Sequence, residues 1–322
     1  MALVFSNIGA YTKQAIAPLL TEAVLAAKTQ QLIKDGGGIL LPGVKSSIAI
    51  PQMTSNALFQ TDGCGWSPSG QTTFTQRRVT VGKIKVEEAI CPKDFEAYFT
   101  QEALRAGSTY EDFGNADFEA AFVAKKNAQI AKNLEIAIWQ GDTASGNTNP
   151  ATNKFDGLIK LIDAGSPVLA NTSAYVSGGA VSAITQANVV AALQGVYKAI
   201  PAEIIDAEDL KIFCGNDVYR LAVLEYQRLN LFHHNINGDA SQAFIIPGTN
   251  VELVAVNGLN GTGDMYATRV SNIALGFDLE AEEENYDLWW SRDNNEVRYR
   301  VAFKFGVNVA YTSECVAFKS TI

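Results

Sequence analysis

From Val297 to Tyr311 every odd position is apolar or aromatic: Val297, Tyr299, Val301, Phe303, Phe305, Val307, Val309 and Tyr311. Arg298, Arg300, Ala302, Lys304, Gly306, Asn308 and Ala310 fill the even positions. A period of two means a β-strand with one buried face, because successive side chains point to opposite sides. At roughly 3.3 Å per residue, such a strand of about 15 residues approaches 50 Å, well beyond the usual strand length. It needs a long partner to cover its apolar face, and the chain supplies one. The stretch Asp117 to Trp139 (DFEAAFVAKKNAQIAKNLEIAIW) holds no Gly or Pro. It is dominated by Ala, Glu, Lys, Gln and Leu, all strong helix formers. Asp117 is placed to cap a helix and Gly141 to end it. Phe122, Val123, Ile130, Leu134 and Ile138 fall on one side. At about 1.5 Å per residue this spine spans roughly 35 Å. Long strand and long helix predict an elongated α+β body, split in sequence around whatever lies between them.

Between them, residues 155–270 read as a compact α/β unit. Thr185 to Ile200 is an amphipathic helix stopped by Pro201. Lys211 to Cys214 is a short buried strand, and Asn216 caps a helix running from Asp217 to about Leu229. Phe244 to Ile246 and Val251 to Val256 are strands joined at the turn Pro247-Gly248. Tyr286 to Ser291 is the expected hairpin partner of the long strand. Gly141 to Lys154 is a polar loop.

Two segments read as outward-reaching. Residues 1–35 form an arm, with a helix from Pro18 to about Lys34 that sets Leu20, Val24 and Ala27 on one side before Gly36, Gly37 and Gly38 end it. Residues 45–90 form a long two-stranded excursion. Ile48 and Ile50 lie on the way out, Phe59 and Trp66 sit in a soft tip (Thr54 to Gln71), and the strand Thr72 to Ile90 returns. The apolar set shifts phase at Gly82, from Val79 and Val81 to Ile84 and Val86, as a bulge or bend would produce. A hairpin this long needs a partner surface or it is an exposed edge. The alternative is an ordinary edge hairpin of its own domain. Arg77, Arg78, Lys83 and Lys85 make the return strand basic, which suits pairing with an acidic surface or discourages wrong pairing at an edge.

Composition narrows the function classes. The chain has 322 residues and is 47% hydrophobic, which excludes wholesale disorder. A net charge of −9 argues against a protein that reads nucleic acid by neutralising phosphates. It leaves room for one that encloses nucleic acid. Cys64, Cys91, Cys214 and Cys315 are scattered without zinc spacing, which reads as free thiols in a reducing cytosol. No signal peptide is evident, and no apolar run approaches the roughly 18 residues of a membrane span.

Catalytic signatures are missing. The only histidines, His233 and His234, are adjacent and cannot share a strand or helix face as metal ligands. A soluble hydrolase would have to use one of them with a nearby carboxylate, and no Gly-x-Ser-x-Gly elbow supports it. The acidic run Asp278, Glu280, Glu282, Glu283, Glu284 lacks calcium-loop spacing and reads as a solvated face. Gly36 to Gly38 lacks the Lys-Ser/Thr of a phosphate loop. No catalytic residue, metal or cofactor is expected.

The order of parts resembles the major capsid protein of tailed bacteriophages, whose shell fold is shared with encapsulin compartments and the herpesvirus capsid floor. NLEIAIWQGD leading to KFDGLIKLID, LKIFCGNDVYRLAVL, and NIALGFDLEAEEENYDLWWSRDNNEVRYRVAFKFGVNVAYTSECVAF are similar to that family's spine end, central strand and helix, and closing strands. The resemblance implies an N-terminal arm (1–44), an extended loop (45–90), a peripheral domain (91–154 and 271–322, with the spine at 117–139) and an axial domain (155–270). It implies pentamers and hexamers that close an icosahedral shell around double-stranded DNA, without catalysis and without a membrane. Assembly would take place in the host cytoplasm and leave the chain in the virion. Other virion proteins, such as portal, scaffold or decoration proteins, would be partners. The arm is too short for a fused scaffolding segment, so a separate scaffold or none is implied. An encapsulin-like compartment is the alternative shell. The expected assembly contacts are Leu20 and Val24 in the arm, Phe59 and Trp66 at the loop tip, and Arg77 and Arg78 on its strand.

Overall fold

The computed structural model describes residues 28–56, 59, 62–66, 69–90, 116–170, 183–229, 244–278, 287–291, 293–294 and 296–320. In chain order its elements are helix α1 (Lys28–Asp35), β1 (Ile39–Leu41), β2 (Ser47–Ser55), β3 (Thr72–Thr80) and β4 (Gly82–Ile90). Then come α2 (Ala116–Gln140), α3 (Leu158–Ala164), β5 (Val168–Leu169), α4 (Val189–Ala199), β6 (Leu210–Cys214) and α5 (Asn216–Arg228). The rest is strand: β7 (Phe244–Ile245), β8 (Glu252–Ala255), β9 (Met265–Arg269), β10 (Ile273–Asp278), β11 (Asp287–Ser291), β12 (Glu296–Val309) and β13 (Val316–Phe318).

β12, at 14 residues, is the axis of a five-stranded sheet. β10 and β11 pair antiparallel with successive stretches of it, β4 runs antiparallel along it from Val297↔Ile90 to Phe305↔Gly82, and β1 adds to β10 in parallel. Tyr299, Val301, Phe303, Phe305, Val307 and Val309 are buried and share a core with Ile130, Leu134 and Ile138 of α2. The described side chains of the spine, from Lys126 on, therefore pack on the odd face of the long strand, whereas those of Phe122 and Val123 lie outside the described residues.

A six-stranded sheet, ordered β5-β13-β9-β6-β8-β7, forms the second layer. Its pleat sorts side chains into two cores. Phe213, Val254, Tyr266 and Ala317 join the core of α2, while Ile212, Cys214, Leu253, Met265, Val316 and Phe318 pack with Val189, Leu193 and Val196 of α4 and Val218 and Ala222 of α5. Trp139 in the last turn of α2 closes the seam between the sheets. It is fully buried, with ring centroids 5.3 Å from Phe213 and 6.0 Å from Tyr266.

Several expectations are corrected. The span 1–44 is not all arm. α1 is docked on the spine: Ile33 is buried, and the Thr29 backbone N–H and hydroxyl both donate to the Glu135 carboxylate. β1 belongs to the five-stranded sheet. The excursion ends at Thr80, because beyond Val81 the chain turns into β4, where half-buried Ile84 and Val86 pack on the main core. β13 lies inside the six-stranded sheet rather than with the peripheral strands, held by antiparallel pairing to β9. Gly215, not Asn216, precedes the first turn of α5; the Asn216 amide instead donates to Asn257 at 2.6 Å. Asp278 is no solvated charge. It is buried between Lys45 and Lys304. The short helix expected near residues 94–105 lies outside the described residues.

Candidate assembly surfaces

The hairpin β2–β3 pairs from Ser47↔Thr80 to Ser55↔Thr72. Residues directly opposite share a face, so Ile48, Ile50 and Gln52 share one with Val79, Arg77 and Thr75. Near its root that face is bound to its own body. Ile50 and Val79 are buried with Ala274 and Ala310. The Gln52 amide donates to the Ala310 carbonyl. The Arg77 guanidinium donates to the Leu161 carbonyl at 3.3 Å and to Asn308 Oδ1 at 3.2 Å, and the Asn308 amide donates to the Arg78 carbonyl at 2.7 Å. The Met53 N–H donates to the Tyr311 hydroxyl at 3.3 Å.

The even side of β12 makes this docking possible. A Cβ on Gly306 would stand 2.2 Å from the Thr80 carbonyl oxygen, and that backbone cannot yield cheaply, so Gly is required where the hairpin crosses the sheet. On the opposite, core-side face a Cβ on Gly82 would stand 2.0 Å from the Lys154 carbonyl oxygen. Gly306, Asn308 and Ala310 are the floor under the hairpin root.

Beyond Met53 the ribbon leaves its own chain. Met53 stands directly opposite Phe74 on the other face, 60% and 75% exposed, and the tip carries Phe59 at 100% and Trp66 at 93%. Sequence reasoning found the two tip aromatics but missed Met53 and Phe74. The signal was there in the alternation of Pro51, Met53, Ser55 opposite Thr72, Phe74, Gln76. Arg77 is turned into its own body, whereas Arg78 is exposed. Leu20 and Val24 lie outside the described residues, as do His233 and His234.

The described residues offer little to chemistry. Cys214 and Cys315 are buried free thiols, and burial pushes Cys315 up to about 11 and Cys214 further still, away from nucleophilic thiolate. Cys64 is exposed at the hairpin tip. Burial also raises the pKa of Glu135, where α1 meets the spine, against the lowering effect of its Thr29 hydrogen bonds. Among the described residues no three His, Cys, Asp or Glu side chains cluster as metal ligands, and no helix is long and apolar enough to cross a membrane.

No protein-family model matches the chain, and no curated protein matches it in sequence. Solved structures do match. A chain of the satellite phage P4 procapsid, solved with its size determination protein, superposes with a TM-score of 0.58 at 12% identity, over 94% of this chain and 89% of that one. This is the phage-capsid fold. The capsid of a native GTA particle matches at TM-score 0.55 and 9% identity over 90% of both chains, and that of the myovirus XM1 at 0.51 and 12% over 89% and 90%. In the capsid fold of this chain, the spine, the long strand and the six-stranded sheet form the body, and the hairpin projects from it.

Proposed function

We propose that this chain is the structural subunit of an icosahedral phage shell, assembling as pentamers and hexamers around double-stranded DNA, with no catalytic role. The observation that carries it is the distal hairpin. Met53, Phe59, Trp66 and Phe74 are four large apolar side chains held in solvent on a defined β-ribbon, in a fold shared with capsid chains. Fully burying such side chains is worth about 1.5–3 kcal/mol each, and their own body does not cover them. A second copy can. Closure of many such modest contacts makes the whole assembly stable. Scaffold, portal or decoration proteins join as the shell is built, and the acidic balance keeps the enclosed DNA loosely held.

Expression of the chain alone and with neighbouring structural genes, followed by size-exclusion chromatography and electron microscopy, tests this. Closed particles of uniform diameter are expected. A 34.6 kDa monomer under every condition overturns the reading. Particles that hold a protein cargo and exclude DNA place the chain among encapsulin-like compartments instead.

A further inference from the structure

The hairpin covers only one end of the outer sheet face. The other end is a ladder of cations. Lys304 pairs with Lys83, Ala302 with Lys85, and Arg300 with Glu87, so these side chains and Arg298 all project from the face opposite the buried odd residues. Lys45 joins them at the edge through Asp278. The carboxylates among them are already engaged. Asp278 sits 3.2 Å from Lys45 and 3.0 Å from Lys304, Glu87 is shared by Lys85 at 2.7 Å and Arg300 at 3.3 Å, and Glu296 holds Arg298 at 2.7 Å. Among the described side chains six cations thus face three carboxylates, and the β11 register sets Asp287 directly opposite Arg300 as a fourth. Lys83 has no carboxylate partner among the described residues and stands directly opposite Lys304. Like charges in that position are destabilising. The single chain keeps this repulsion in place.

We propose that this strip receives an acidic surface of a second copy of the chain. The inference rests on the shell reading above. The chain carries a net charge of −9 despite a local excess of positive charge here, so the rest of its surface is the complementary partner. Magnitude favours protein over nucleic acid. The strip from Arg298 to Lys304 is about 20 Å long at roughly 3.3 Å per residue. Over that length a DNA duplex carries on the order of 12 phosphate charges at about 1.7 Å each. A net excess of two cations, with Asp287 counted, matches one or two carboxylates and falls far short of that. An acidic surface laid on the strip would relieve the Lys83–Lys304 repulsion and pair the uncommitted charge.

Assembly of the full chain, followed by light scattering across a salt series, tests the inference with Lys83→Glu/Lys85→Glu and, as the milder pair, Lys83→Gln/Lys85→Gln. The expected result is slower assembly at low salt, by about tenfold or more for the Glu pair, with the salt dependence of the wild type largely lost and the melting temperature not lowered, since the change also removes the like-charge pair with Lys304. Zero-length carbodiimide cross-linking of wild-type particles, made from mixed light and heavy isotope copies, should join Lys83 or Lys85 to a carboxylate of another copy. Variants that assemble at the wild-type rate and salt slope, or wild-type particles without inter-copy links at these lysines, overturn it. So does a variant that assembles normally but retains less DNA, because the strip then faces nucleic acid. Wild-type protein that forms no particles fails the shell reading itself, whereas wild-type particles with indifferent variants fail this inference alone.

Discussion

The two halves of one ribbon behave oppositely. Strands β2 and β3 keep a single register along their length. Below Met53 the face of Ile50, Gln52, Arg77 and Val79 is held by its own body, with Ile48 left 36% exposed at the root. Above it the apolar side chains stand in solvent. A β-ribbon does not need a partner as a whole; it needs one wherever its apolar side chains are not covered. The boundary at Met53 separates residues that determine how well this chain folds from residues that determine what it joins.

The comparison breaks most visibly at its outer half. Trp66→Ala/Phe74→Ala should weaken assembly at least about a hundredfold while leaving unfolding free energy within about 0.5 kcal/mol. Sedimentation velocity and thermal denaturation of the same preparations measure both. A large loss of stability would mean that the outer half is docked after all. The inner half predicts the reverse. Ile50→Ala removes a buried side chain and should cost about 2–3 kcal/mol, read as a lower denaturant midpoint. Asp278→Asn comes next, at about 2 kcal/mol near neutral pH, for charge-assisted contacts to Lys45 and Lys304. Burial works against ionisation of Asp278, but those two lysines outweigh it and hold its pKa below the usual 3.8. The carboxylate's contribution is therefore complete above that value and fades as pH falls through the lower folded one. Wild-type and variant denaturation curves should begin to converge below about pH 4 and meet once pH passes below the folded value. The smallest effect is the coupling between Arg77 and Asn308, about 1 kcal/mol in a double-mutant cycle. A coupling of zero would make Arg77 free for a neighbour, which is where the sequence placed it.

What was legible in the sequence is what depends on local period. The long strand and the spine announce themselves because many residues repeat one pattern, and Phe59 and Trp66 stand out as aromatics in a polar tip. Other features depend on partners distant in sequence. Gly306, Asn308 and Ala310 read as a solvent face because nothing local says that residues near Thr80 will cross above them. Gly82 marked a change of phase, but only pairing with β12 turns that change into an exit from the hairpin. Asp278 begins an acidic run and still ends buried, because Lys45 and Lys304 reach it from far along the chain. The helix expected from Thr185 starts at Val189, since Asn188 holds the preceding residues in a turn through its 2.7 Å bond from Thr185 N–H.

β13 lies between the edge strand β5 and β9, one strand in from the rim of a sheet whose other strands are all made earlier on the ribosome. A nascent chain that has finished residues 155–270 still carries a gap where Val316, Ala317 and Phe318 will sit. The compact unit cannot seal until those residues emerge, so translation itself delays the moment at which a copy becomes competent to meet another.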